Sequence, residues 1–318
     1  MTKLFKTSAV LAAVLLAATA AHADFNANIE FDNTWQNNNR GVSQGGRVEL
    51  NAVSKLSPNY FIAGKASFLA KKDGSSATDD LWVQFGSAAA DIKLGRFEAA
   101  NIFPLERDTL VPFAGFTAYQ GNILRGRGFV RTGAPSLGVP QAPNGGDSAF
   151  HAAGTFNAGG GLSFELGVVE SKDPTVNKGV RPVVSYVAGP LSLSAGIESV
   201  KYASNQKRET GFSGTVGYSF GDYKLNANLA SIKDDIGFKT SSYGLVLSSA
   251  GLGGGLVYGE HDTAAGKAKV TTSYVTYAMP LFDIKGATIT PALAISRAGG
   301  ANTAPTDKGV RVRINYAF

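Results

Sequence analysis

Proton transfer at neutral pH calls first for histidine, and this sequence has three: His22, His151 and His261. His22 falls within an amino-terminal leader described below. His151 sits in "SAFHAAGTF", and His261 lies in "YGEHDT" between Glu260 and Asp262. Glu260-His261-Asp262 has the composition of an acid-base cluster, and a Ser-His-Asp site can assemble from distant strands because such sites are defined by geometry. No serine motif flanks either histidine, however. Metal-ligand spacings, a phosphate-binding loop and a dinucleotide fingerprint are all missing from the sequence. A charged strand tip needs no catalytic role, so the chain is read as a non-enzyme that takes no cofactor and no metal.

The elements that carry these residues begin after "MTKLFKTSAVLAAVLLAATAAHA", which has Lys3 and Lys6, an apolar run from Ala9 to Ala18, and Ala21-His22-Ala23. A positive start, a short apolar core and a small-x-small end form a secretory signal, with cleavage expected after Ala23. Removing the two leader lysines leaves 28 Lys and Arg against 24 Asp and Glu, a formal net charge of +4 on residues 24–318. That is too mild and too scattered to point to nucleic acid. Cysteine is absent, which excludes a small disulfide-stapled scaffold. No run after Ala23 approaches 18 apolar residues, so transmembrane helices are excluded while a β-barrel is not.

From Asp24 onward the sequence alternates. Phe25, Ala27, Ile29 and Phe31 interleave with Asn26, Asn28, Glu30 and Asp32. Similar segments recur near 45–55, 59–71, 79–87, 89–96, 147–157, 160–170, 179–187, 190–202, 209–220, 222–233, 237–248, 251–261, 268–279, 286–297 and 308–318. With the first they predict sixteen strands, most with about the 9–11 residues a tilted strand needs to cross a bilayer. Tight turns such as "SPN", "SAAA", "NAGG" and "GDY" take turns with long polar stretches such as "QNNNRGVSQG", "SKDPTVNKG" and "RAGGANTAPTD". An even strand count with short turns on one side and long loops on the other predicts a closed all-β transmembrane barrel over residues 24–318.

The final strand, "GVRVRINYAF", places Val310, Val312, Ile314, Tyr316 and Phe318 on one face and Arg311, Arg313 and Asn315 on the other. The first face meets lipid, with Tyr316 and Phe318 in the interfacial aromatic girdle. A terminal strand ending in aromatic-x-Phe resembles the Gram-negative outer-membrane barrels. That resemblance implies that Tyr316 and Phe318 form the signal read by the outer-membrane assembly machinery, and it implies localisation to the bacterial outer membrane.

The rhythm breaks once, at Phe97 to Gly146, about 50 residues without a period. Its first half carries Phe103, Leu105, Leu110, Val111, Phe113 and Phe116, which need a surface to pack on. A sixteen-stranded lumen is too wide for side chains to fill, so this third long loop is expected to fold inward and narrow it. Here "DLWVQFGSAAADIKLGRFEAA" followed by "RDTLVPFAG" is similar to the general bacterial porins, in which a strand ending Leu-Gly-Arg enters a pore-constricting third loop. The resemblance implies a homotrimer that passes small hydrophilic solutes, with Arg96 on the pore wall facing Glu98, Glu106 and Asp108. Where many members carry Pro-Glu-Phe-Gly this chain has Pro112-Phe113-Ala114-Gly115, which removes an acid. Simple alternation aims Arg96 at lipid with Ile92 and Leu94, so a backbone break at Gly95 is required to turn it inward.

Alternation also places Arg47, Lys65, Lys93, Lys224, Arg311 and Arg313 on polar faces, opposed by Glu30, Asp32, Glu49 and Asp91. The loop sets Glu98, Glu106 and Asp108 against Arg107, Arg125, Arg127 and Arg131. Bases on one wall and acids on a facing loop set a transverse field, and the small positive excess predicts weak anion preference. The same loop aromatics, Phe97, Phe103, Phe113, Phe116 and Tyr119, allow a second expectation, a stacking track for sugar rings. A third is a blocked barrel serving as an adhesin or structural protein.

Overall fold

The computed structural model describes residues 23–38, 41–70, 74–97, 100–106, 150–170, 178–201, 208–233 and 237–318. Residues 1–22, where the signal is expected, lie outside these, as do residues 107–149 of the long loop. Sixteen antiparallel strands follow one another around a closed barrel: β1 (Ala23–Gln36), β2 (Gly41–Lys55), β3 (Tyr60–Ala70), β4 (Ser76–Ser87), β5 (Ala90–Arg96), β6 (Phe150–Gly159), β7 (Leu162–Glu170), β8 (Lys178–Ala188), β9 (Leu191–Lys201), β10 (Arg208–Phe220), β11 (Tyr223–Lys233), β12 (Lys239–Ser248), β13 (Leu252–Thr263), β14 (Gly266–Tyr277), β15 (Ala287–Gly300) and β16 (Asp307–Ala317). A two-residue piece, Met279–Pro280, continues β14 past Ala278 and pairs with β15. Each strand bonds to its sequence neighbours, and β1 bonds to β16, so no edge is left open.

Alternation explains why these segments are strands of a membrane barrel. On β1 the outward residues Phe25, Ile29 and Phe31 are exposed, as are Val216 and Phe212 on β10, Leu245 on β12, Leu256 on β13 and Leu293 on β15. Such large apolar groups standing in the open on every side require hydrocarbon around them. The opposite residues of the same strands, such as Ser213, Thr215, Asn226 and Asn228, are buried and polar. No helix among the described residues is long and apolar enough to cross a membrane; the crossing is made by strands.

Two details differ from the sequence reading. Several strands run past their expected ends on the long-loop side, as β13 does to Thr263 and β15 to Gly300. Beyond the bilayer a ladder needs no lipid-facing alternation, so the sequence pattern fades before the pairing does. The strict alternation of connections also fails once: Thr263 and Gly266 pair directly across a tight turn on the long-loop side, while nine residues separate β14 from β15 on the other.

The carboxyl terminus closes the seam. Ala27 donates to the Phe318 carbonyl at 2.8 Å and accepts from the Phe318 N–H at 3.0 Å. Tyr316 and Phe318 point outward with their rings stacked at 5.4 Å, and Phe318 is 62% exposed.

Candidate functional site in the lumen

Register alone assembles a charged wall from β16 round to β4. Pairing sets Asp32 opposite Arg313 and Glu30 opposite Arg47, all on the inward parity. The Arg313 guanidinium grips Asp32 with two bonds of 2.7 Å and reaches Glu30 at 3.0 Å. Arg47 donates to Glu30 at 3.3 Å and lies 3.9 Å from Glu49. Lys65 then bridges Glu49 at 2.7 Å and Asp80 at 3.3 Å. Arg311 donates to the Thr34 hydroxyl at 3.3 Å. Further round, Gln84 donates to Asp91 at 2.8 Å, and the Lys93 ammonium sits 4.6 Å over the Trp82 ring and 5.4 Å from that of Phe97.

Of the acids expected on the facing loop, Glu98 and Asp108 lie outside the described residues, and Glu106 pairs with Lys224 on β11. Among the described residues, acids alternate with bases along one wall, and Arg47, Lys65, Arg311 and Arg313 are matched by Glu30, Asp32, Glu49 and Asp80. The field they set is therefore local and nearly neutral in sum. Asp80 was not among the inward candidates although it falls in the predicted strand at 79–87. Its inward parity with Trp82 and Gln84 was the signal that could have found it.

The other half of the wall receives the start of the long loop. Phe97 stacks on the buried His151 at 3.8 Å. The Ala100 N–H donates to Glu165 at 3.1 Å, and the Ser213 and Thr215 hydroxyls both donate to the Ile102 carbonyl at 2.9 Å. Asn228 donates to the Pro104 carbonyl at 2.7 Å and Tyr274 to that of Leu105 at 3.0 Å. Glu106 ends the described segment, paired with Lys224 at 2.9 Å and also accepting from Asn226. Residues 100–106 thus run along the inside from β7 to β14.

Packing explains that course. Ile102 lies against Val183 and Ile232, and Phe103 lies among Ala230, Val246, Val257 and Val270; both are 1% exposed. These wall residues are inward, so β11 to β14 are apolar inside as well as out over this patch, which plain alternation does not foresee. Small residues make the room: a Cβ at Gly244 would come within 3.1 Å of the Phe103 ring, and one at Gly196 within 2.8 Å of the Ile102 side chain. The burial also removes Phe97 and Phe103 from any sugar-stacking track; Phe113, Phe116 and Tyr119 lie outside the described residues.

Of the remaining candidates, Glu98, Asp108, Arg125, Arg127 and the Arg96 side chain lie outside the described residues. The Arg96 backbone pairs with Leu81, and the preceding Gly95 has φ of 123°, a left-handed value suited to glycine. The acid-base cluster is split by alternation. The His261 ring meets the Thr240 hydroxyl at 2.7 Å on the inner face, while Glu260 pairs outward with Lys267 at 2.8 Å. His151 is far along the wall on β6, so the two histidines share no site.

A closed antiparallel barrel of sixteen strands, greasy outside and charged within, has the fold of the Gram-negative outer-membrane porins. Residues 13–135 match the family described as porin-like glycoporin RafY. No curated protein matches. Among solved structures the chain is similar to an anion-selective porin from Comamonas acidovorans, at 17% identity over 93% of this chain and 99% of that one, with a TM-score of 0.65. It is also similar to OmpF of Salmonella typhi in complex with daunomycin (13% identity, 93% and 97% covered, TM-score 0.64). The trimer form of OmpT from Vibrio cholerae matches at 11% identity, with 93% and 99% covered and a TM-score of 0.63.

Proposed function

We propose that the protein is a passive diffusion channel for small hydrophilic solutes and ions, narrowed by the loop from Phe97 and weakly anion-preferring. The observation that carries this reading is the division of the inner wall. Residues 100–106 cover β7 to β14, while the charged ladder from β16 to β4 lines the other side. Near-neutral pairing on that ladder keeps selectivity weak, and the net charge of +4 on residues 24–318 gives it its sign. The anion-selective porin and the trimeric barrel among its structural relatives support the same sign and a homotrimer. The left-handed Gly95 supports an inward Arg96, with Glu98, Glu106 and Asp108 on the loop that faces it. Tyr316 and Phe318 serve the assembly machinery.

In a planar bilayer under a salt gradient, the purified protein is expected to give large, stable conductance steps and a small reversal potential of anionic sign. Arg96→Ala is expected to move that potential toward cations. A folded barrel that conducts nothing would overturn the channel and favour the adhesin. The glycoporin description of the matching family favours one second reading, a channel selective for carbohydrate. Reversible block of the steps by added oligosaccharide at low concentration would establish it.

A further inference from the structure

Along the charged wall, the acids Glu30, Asp32, Glu49 and Asp80 all lie within 2.7–3.9 Å of an arginine or lysine. The next two charges break that rule. Asp91 and Lys93 stand two residues apart on the inner face of β5, since Ile92 between them points outward and is exposed. Among the described residues they do not pair with each other. Asp91 instead accepts from the Gln84 amide at 2.8 Å, and the Lys93 ammonium is drawn over the Trp82 ring at 4.6 Å, with the Phe97 ring 5.4 Å away. Trp82 and Gln84 stand on the neighbouring β4, where register sets Gln84 opposite Lys93 and Gly86 opposite Asp91. Gly86 brings no side chain to crowd the carboxylate; a Cβ there would stand 2.5 Å from that of Asp91.

An acid and a base that could neutralise each other are thus held apart. Aromatic faces attract an ammonium without cancelling its charge, and an amide donor leaves a carboxylate negative. Positions i and i+2 of a strand are about 7 Å apart. An ammonium and a carboxylate carried on one carbon, with a charge-assisted bond of about 2.8 Å at each end, bridge a gap of that order. Trp82, Gln84, Asp91 and Lys93 are all partly exposed on the inner face, within reach of a solute in the lumen.

We propose that Asp91 and Lys93 form a subsite for zwitterionic solutes of the free α-amino acid class, with the solute's ammonium on Asp91 and its carboxylate on Lys93. Trp82 and Gln84 are positioning residues that keep the two charges from collapsing onto each other. The subsite builds on the channel reading, which supplies its solutes, but its occupancy can be read without conduction.

Tryptophan occurs only at positions 35 and 82, so the full-length refolded barrel carrying Trp35→Phe reports on Trp82 alone. L-Alanine titrated into this protein in detergent should draw the Lys93 ammonium off the ring and give a saturable change in emission. Lactamide, similar in size and uncharged, and propionate, which lacks the ammonium, should each need at least about fivefold more for half the effect, the discrimination one exposed ion pair supplies. Asp91→Asn, which leaves the ring and its cation in place, should weaken alanine about fivefold and leave propionate unchanged, while Lys93→Gln should abolish the response to both. Equal responses to alanine and lactamide, or to alanine and propionate, would overturn the proposal. So would an Asp91→Asn variant that binds alanine like its parent. Conductance recorded on the same samples separates the two readings: a barrel that conducts without the alanine response is a channel lacking the subsite, and a saturable response in a barrel that conducts nothing keeps the subsite and overturns the channel.

Discussion

Arg313 is held by two carboxylates at once, and its side chain is only 13% exposed, so it cannot be treated as a loose surface charge. Exposed pairs contribute about 0–1 kcal/mol, and breaking fully buried ones costs about 3–5. Arg313→Gln on a wall that water reaches should fall between, destabilising the barrel by roughly 1–2 kcal/mol. Its clearer effect is electrical. Asp32 is left without its fork and Glu30 with Arg47 alone, so the reversal potential should move toward cations. Adding Asp32→Asn should return it most of the way, and a double variant that stayed as cationic as the single one would show that the pair does not set the local field. At this scale the sequence was legible wherever parity decides: Glu30, Asp32, Arg47 and Arg313 all face inward as their positions require. Parity cannot say which charge meets which across the lumen, so the Lys224–Glu106 pair was not legible.

The segment 100–106 is held by the burial of Ile102 and Phe103 and by hydrogen bonds to its carbonyls rather than by any regular element, and Phe103 is its anchor. Replacing a buried phenylalanine by alanine costs about 3–5 kcal/mol, which is more than a short irregular segment can spare. Phe103→Ala should therefore release the segment without unfolding the barrel, raising single-channel conductance and exposing the loop to protease while heat-shifted mobility in detergent gels is kept. Gly244→Val approaches from the wall side: its Cβ would stand 3.1 Å from the Phe103 ring, so it should mimic Phe103→Ala. If both variants conduct like wild type, residues 100–106 do not limit the pore. The sixteen strands were legible because lipid enforces a period of two. The docking surface was not, because Val246, Val257 and Val270 each look like ordinary members of apolar strands, and only closure reveals that they face inward together.

Closure is a property of the whole chain, since the seam pairs β1 with β16 across nearly the full sequence and no disulfide assists it. Phe318 contributes to that seam through its backbone, which bonds to Ala27 in both directions, whereas its ring stands outward against Tyr316. The two contributions are separable. Phe318→Ala keeps both backbone bonds and removes only an exposed ring, so refolding of the purified chain into lipid vesicles should give the same yield and the same thermal midpoint to within a few degrees. If the outward ring is what an assembly factor reads before the seam is made, the same variant should leave far less folded barrel in the outer membrane of cells. Measuring both quantities on one variant decides between the roles. A fall in refolding yield matching the fall in cells would make the ring a structural part of the girdle, and a loss confined to cells would make it a signal.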